Sequence, residues 1–306
     1  MMIFSVTILG CSSAIPTPVR SLSAQVVNVH EKLYLIDCGE GTQMQLRKFN
    51  IKAQRINHIF ISHLHGDHYY GLIGLLTSSH LLGRTNPLHI YAEAKLKDII
   101  NIQFSASDTH LGYPLNFHDI DPTVHEKIFE DEKVTVYTIP LKHRLLTTGF
   151  LFKEKAGERN IRKDFVEKEH IPYSEFSKIK AGGDYISDSG LVFKNRDITI
   201  DPPEPRSFAY CSDTAYFEPI IPKIKHVDLL YHEATFMDDK KDKASENFHS
   251  TTIEAATIAK KAEVKRLILG HYSTRYDDLQ LLLKEARSVF PNTELGEDGK
   301  VFEIEL

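Results

Sequence analysis

The sequence predicts a layered α/β fold that carries a metal site at the ends of its strands. Five short apolar segments each stop at a histidine or an acidic residue. Amphipathic helical segments lie between and after them. Where the first of those five ends, His63, His65, Asp67 and His68 fall within six positions. Functional groups of layered α/β proteins gather where strands end and loops begin, so the recurrence carries more than any one member.

The chain opens with a strand over Ile3 to Leu9, read from its alternation. Gly10 to Ser13 form a small-residue loop, which Pro16, Pro18 and Arg20 continue as a stiff, exposed segment. Ala24–Val29 and Lys32–Ile36 read as a strand pair turning near His30-Glu31. Asp37-Cys38-Gly39-Glu40-Gly41-Thr42 is a glycine-rich turn that feeds a short helix from Thr42 to about Phe49. Its glycines permit a close backbone approach, which suits either a plain strand-to-helix turn or a neighbour of a metal site.

Ile56 to Ile61 is the strand that delivers the histidine cluster. Leu72, Leu75, Leu76 and Leu82 then repeat at helical spacing, and Leu88–Ala92 is a further strand. Val134–Ile139 runs toward His143, Phe208–Cys211 toward Asp213, Val227–Tyr231 toward His232 and Glu233, and Arg266–Gly270 toward His271. Thr251-x-x-Glu254 is a capping box opening a helix over Ile253 to Ala262. Leu279, Leu282, Leu283, Ala286, Val289 and Phe290 mark a second amphipathic helix, and Lys300–Glu305 closes the chain as a strand.

Composition narrows the class. With 306 residues, 42% hydrophobic and 26% charged, the chain can bury a large core without covalent staples. Its three cysteines, Cys11, Cys38 and Cys211, are odd in number and far apart, which suits buried thiols in a reducing compartment. Met1 to Val6 reads as a strand and not as a signal peptide. Gly71–Leu82 is too short and interrupted to span a bilayer. A cytoplasmic protein with no membrane partner is expected. A net charge of -5 excludes a generic basic nucleic-acid coat, although bound dications and a local basic surface still allow an RNA substrate.

Residues 153–201 stand apart. They are rich in charge and glycine, weakly periodic until Ser189–Phe193, and followed by Pro202-Pro203. They read as an insertion between two ligand-bearing strands, either a solvated loop or a substrate-binding arm. Lys153, Lys155, Arg159, Arg162 and Lys163 make its first part modestly basic.

Imidazole and carboxylate are the usual nitrogen and oxygen ligands of zinc and similar ions. His63 and His65, two apart in extended backbone, point to one face and can share a metal. Asp67 and His68 lie past the Gly66 turn and diverge toward a second. Two metals roughly 3.5–4 Å apart suit phosphodiester hydrolysis, with Asp213 the candidate bridge. An acid is then needed for the leaving oxygen. His249, at the start of a helix whose free N–H groups favour a phosphate, is the candidate, with Glu233 to orient it and raise its pKa.

The residues resemble a known family. His63-x-His65-x-Asp67-His68 is similar to the signature of the metallo-β-lactamase superfamily. Leu9-Gly10-Cys11-Ser12-Ser13-Ala14-Ile15-Pro16, Asp37-Cys38-Gly39-Glu40-Gly41-Thr42-Gln43, Pro140-x-Lys142-His143-Arg144, His232-Glu233-Ala234-Thr235 and His249-Ser250-Thr251 resemble the motif set of the ribonuclease Z family, short bacterial type, over nearly the whole chain. The resemblance implies one domain over 1–306, a four-layer αββα sandwich with 153–201 as a protruding, flexible tRNA-binding arm. It implies one Zn2+ on His63, His65 and His143, a second on Asp67, His68 and His271, and Asp213 between them. Mn2+ or Fe2+ could occupy the same ligands. Asp67 would also be the general base, and His249, assisted by Glu233, would protonate the departing 3′ oxygen. A precursor tRNA would be the substrate and a homodimer the working form. One feature departs from the family: Ile171-Pro172-Tyr173-Ser174-Glu175 lacks the Gly-Pro dipeptide usual in the arm. The rival readings are a hydrolase of small phosphodiesters, sulfate esters or lactones, and a non-catalytic metal-bound module that binds RNA.

Overall fold

The computed structural model describes residues 3–306. The chain divides into two compact units, one running through Lys153 and again over Arg206–Glu305, the other over Glu154–Pro205.

In the first unit two seven-stranded sheets hold the core. One runs Val301–Glu303, Phe4–Gly10, Ala24–Val29, Lys32–Ile36, Ile56–Phe60, Leu88–Ala92, Leu115–Asp119 in spatial order. The other runs Thr293–Leu295, Arg266–Gly270, Leu229–Glu233, Ser207–Cys211, Thr148–Glu154, Val134–Pro140, Lys127–Glu130. Strand alternation assigns the layers. Phe4, Val6 and Ile8 face inward with Tyr34, Phe60, Phe150, Phe152 and Phe208. Leu9, Val26, Leu35, Ile59 and Ile61 face the opposite way, against Leu46, Leu72, Leu75, Leu76, Leu96 and Ile100 of the helices Thr42–Lys48, Leu72–Leu81 and Lys95–Ala106. The helices Thr252–Lys261 and Gln280–Arg287 cover the second sheet through Ala255, Ala256, Ile258, Leu282 and Ala286. These are the four αββα layers.

Topology explains where chemistry collects. Ser207–Cys211, Leu229–Glu233 and Arg266–Gly270 are mutually parallel neighbours, so the residues that follow them emerge on one edge. Ile56–Phe60 lies in the parallel half of the other sheet.

Several boundaries shift from those expected. Val227–Tyr231 is displaced to Leu229–Glu233, so His232 and Glu233 are strand residues rather than followers of it. The second half of the histidine cluster, Asp67 and His68, lies in its own short helix, Gly66–Tyr69, before Leu72–Leu81. The final strand is shorter, Val301–Glu303. Thr148–Glu154 was not foreseen because six of its seven residues are buried, which erases the alternation that reveals a half-exposed strand. All three cysteines are free and buried. No helix among the described residues is long and apolar enough to cross a membrane.

The second unit has order of its own. Asn160–Ile161 pairs with Thr199–Ile200, and Tyr185–Ile186 with Val192–Phe193. Ile171, Ile179, Tyr185 and Ile198 make a small core with Phe165, Phe176 and Phe193 against it. The buried Asn195 amide donates to the carbonyls of Ile179 at 2.6 Å and Gly183 at 2.8 Å, pinning the middle of the insertion. Elements of two to seven residues are too short to show a clear period, which is why the segment reads as weakly periodic in sequence.

Candidate metal centre

Seven side chains converge from the strand ends. His63 Nε2 lies 3.0 Å from His65 Nδ1, and His143 Nε2 lies 3.2 Å from the same His65 nitrogen. Asp213 Oδ2 faces this group, 3.6 Å from His63 Nε2 and 3.9 Å from His143 Nε2. The other oxygen faces a second group: Asp213 Oδ1 lies 3.4 Å from His68 Nε2 and 3.2 Å from His271 Nε2. Asp67 Oδ2 completes that group, 3.3 Å from His271 Nε2 and 3.6 Å from His68 Nε2. One carboxylate thus divides its two oxygens between two donor sets.

The donors fit two dications. Bonds of roughly 2.0–2.2 Å at tetrahedral angles put neighbouring ligand atoms about 3.3 Å apart, the spacing seen here. Asp213 Oδ1 is buried and has no hydrogen-bond partner. An orphaned buried acceptor costs about 1–3 kcal/mol, so a cation beside it resolves an otherwise unfavourable arrangement. His249 is close enough to Asp213 and His271 to form a third possible donor set, but its Nδ1 is already held 2.9 Å from Glu233 Oε1.

The surroundings fix which nitrogen each ring presents. His143 Nδ1 donates to the Phe248 carbonyl at 2.9 Å. His271 Nδ1 sits 2.9 Å from Thr235 Oγ1, and His63 Nδ1 3.0 Å from Ser62 Oγ. His68 Nδ1 is 2.8 Å from Asp37 Oδ2. In each case Nε2 is the nitrogen left for the centre. Burial, reinforced by neighbouring imidazoles, pushes His63, His65 and His143 below the ordinary histidine pKa, so their lone pairs are free. At His68 burial pulls the same way, but Asp213, Asp67 and Asp37 outweigh it and raise the pKa. The charge that favours a proton there favours a dication more. Burial opposes ionisation at Asp67 and Asp213 as well, yet the facing histidines hold both carboxyls below their usual range.

Asp37 is the residue that sequence reasoning passed over. It is fully buried, receives the Ser62 amide at 2.7 Å and the Tyr210 hydroxyl at 2.7 Å, and backs His68. Its φ of 57° and that of His271, also 57°, are left-handed. Such backbone costs of order 1–3 kcal/mol and persists at functional sites when the surroundings enforce it. The available signal was an aspartate ending an apolar strand just before the glycine-rich turn. That turn does approach the centre: a Cβ on Gly39 would fall 2.5 Å from the Asp67 carbonyl oxygen, so only glycine lets the two segments meet. We expect Asp37→Asn to lower retention of metal about 10- to 100-fold, read as metal content after dialysis against a graded chelator. Unchanged retention would exclude Asp37 as a support of His68.

Glu233 is buried among donors. Its Oε1 accepts the Thr214 amide at 3.1 Å and the Ser250 amide at 3.0 Å, and its Oε2 accepts the Thr235 amide at 2.9 Å. Burial works against the charge, but His249 lowers the Glu233 pKa. Reciprocally, burial disfavours the His249 cation, and Glu233 overrides it and raises His249 to about 9. The helix end beside His249 is less open than expected. The Thr251 and Glu254 amides are consumed by the capping box, Thr252 N–H donates to the Phe236 carbonyl, and Ser250 N–H to Glu233. Any role of His249 itself at a phosphate rests on its ring, since most of the amides at that helix terminus are already committed. A cleft of about 500 Å³ opens over the centre, lined by His65, Asp67, Tyr70, Arg144, His249 and His271 among others.

Comparison with known proteins gives a consistent neighbourhood. The family described as the anti-Pycsar protein Apyc1 matches residues 4–290. The ribonuclease Z of Phocaeicola vulgatus is 47% identical over 302 residues, 99% of this chain and 98% of that protein. That of Parabacteroides distasonis is 47% identical over 296 residues, 97% of each. Among solved structures, the short form of human tRNase Z aligns with a TM-score of 0.72 at 30% identity, covering 99% of this chain and all 100% of that one. The metallo-β-lactamase fold protein YhfI from Bacillus subtilis aligns with a TM-score of 0.69 at 20% identity, a likeness of fold.

Proposed function

We propose, from the premise that this chain belongs to the ribonuclease Z family and to the family described as the anti-Pycsar protein Apyc1, that it is an endoribonuclease removing 3′ trailers from tRNA precursors at a two-metal centre. The products would be a tRNA body with a free 3′-hydroxyl and a trailer with a 5′-phosphate. The observation that supports this most is the division of the Asp213 oxygens between two donor sets, with the Glu233–His249 pair beside them.

His63, His65 and His143 would hold one ion, and Asp67, His68 and His271 the other, with Asp213 shared. Two zinc ions there would acidify the attacking water and offset charge as it builds on the phosphate. The histidine-rich set favours zinc, and manganese or iron fit the same donors. Asp67 Oδ2 is fixed by the Ala14 amide at 2.8 Å, which aims the carboxylate so that it can take the proton of the attacking water. His249, tied through Nδ1 to Glu233, keeps Nε2 for the cleft and gives its proton to the departing 3′ oxygen. Glu233 holds the ring in that tautomer and keeps the proton on it.

Recognition of tRNA is assigned to the second unit, working as an arm within a homodimer. Replacing residues 154–205 by a short linker should weaken precursor cleavage on the order of 100-fold, the scale of a lost second attachment point. Cleavage of a small chromogenic phosphodiester should persist. Equal losses on both substrates would remove the arm from tRNA binding. The reading as a whole is tested by mapping the cut on one purified 3′-extended tRNA. A single cut at the base of the trailer supports it. Turnover of small phosphodiesters with the precursor left intact would favour a small-molecule hydrolase instead.

A further inference from the structure

Tyr70 stands in the cleft without a part in the chemistry described so far. It follows the helix Gly66–Tyr69 that carries Asp67 and His68, and it lines the cleft beside His65 and Asp67. It is 64% exposed, far more than a core-packing tyrosine. Single exposed aromatics are ordinary on a surface. This one differs in how it is held. A Cβ on Gly66 would fall 2.2 Å from Tyr70 Cε2 and 2.6 Å from Cδ2 and Cζ, so the ring lies directly on the backbone of the residue next to Asp67. Tyr69 meets it edge-on, ring centroids 4.9 Å apart and planes at 70°. The ring is thus supported from below and from the side, while much of its surface stays open to solvent.

The cleft wall is mixed: Pro16 and Leu22 line it together with Glu40, Arg144 and the histidines and carboxylates of the centre. The open face of the Tyr70 ring offers a flat, uncharged group a surface of matching character. Every nucleobase has such a face, and stacking on a pre-set aromatic is sequence-tolerant. Bases that flank a cut between a tRNA body and its trailer are single-stranded and free to stack.

We propose that Tyr70 is a stacking platform for the unpaired nucleobase next to the scissile phosphate, and that it sets the register of the cut. This rests on the reading of the chain as a tRNA-precursor endonuclease. A base seated on Tyr70 lies on the Asp67 side of the centre, so one neighbour of the phosphate is anchored while the phosphate meets the donor sets. Misplacing that base moves the cut or slows it.

The test pairs protein variants with precursors that lack one base, either the last of the tRNA body or the first of the trailer. For the wild-type enzyme, one of the two abasic precursors should lose about 10- to 100-fold in kcat/KM. Tyr70→Ala should show a similar loss on the intact precursor, blurred cut positions, and no further loss on that abasic substrate. Tyr70→Phe, which keeps the ring, should behave as wild type. Metal content and thermal unfolding of each variant separate stacking from damage to the neighbouring ligands. If Tyr70→Ala remains as sensitive to base removal as wild type, or cuts the intact precursor at wild-type rate and position, the stacking role is wrong. If the wild-type enzyme leaves the intact precursor uncut, the parent reading fails first.

Discussion

Asp67→Ala is expected to lose about 10²- to 10⁴-fold in the rate of cleaving a 3′-extended tRNA precursor, or about 3–5 kcal/mol of transition-state stabilisation. The size follows from the two duties proposed for this one carboxylate, ligand and base. Asp67 belongs to the second donor set, within 3.3 Å of His271 Nε2 and 3.6 Å of His68 Nε2. It is also the carboxylate that the Ala14 amide fixes at the mouth of the cleft. Its pKa is held below the usual carboxylate range by His68 and His271 against the opposing effect of burial, so it is ionised and able to accept a proton. A variant that merely lost metal would recover when saturated with zinc. A variant that lost the base would bind metal and stay slow. Activity should therefore be measured with metal content determined on the same sample. Substantial cleavage by a fully loaded Asp67→Ala protein would take the base assignment away from Asp67.

The second large effect is at His249. His249→Ala should lose about 10²- to 10⁴-fold in cleavage with both metals retained. Retention is the informative half. His249 could reach Asp213 and His271 as part of a donor set, and a ligand role would show as lost metal. The geometry argues for the acid role because Nδ1 is committed to Glu233 at 2.9 Å, and Glu233 is itself locked by three backbone amides and the Thr235 hydroxyl. A carboxylate buried this completely is held for a purpose, and the charge it stabilises is the His249 proton. Removing His249 leaves Glu233 buried without its cationic partner, so a lower unfolding temperature is expected as well. Wild-type cleavage by His249→Ala would sink the acid assignment, and loss of one metal equivalent would reassign the residue to the donor set.

Much of the site could be read before any fold was known. His63, His65, Asp67 and His68 are contiguous, and their residue types leave few uses other than metal binding. His143, Asp213 and His271 were found because each follows an apolar strand, a signal that is local and needs no partner. Glu233 and His249 were named, but the motif put Glu233 after a strand that in fact contains it. The helix opening at Thr251 was legible because a capping box is a four-residue code, and both of its reciprocal hydrogen bonds form. The order of the insertion was not legible, since its elements are shorter than any period that would reveal them.

The sequence by itself determined the layered α/β class and the inventory of candidate donors at the strand ends. Those follow from alternation, helical spacing and residue type, which act over a few neighbouring positions. Only the tertiary structure shows which candidate donors stand together, because His63 meets His143 and His68 meets His271 across separations of 80 and 203 residues that no local pattern encodes. It alone turned one Asp213 oxygen toward each donor set, placed Asp37 behind His68, occupied most of the helix end beside His249, and laid the Tyr70 ring on Gly66. The physical reason is common to all of these. Each depends on where a side chain is aimed, and that is fixed by packing and by the hydrogen bonds behind it.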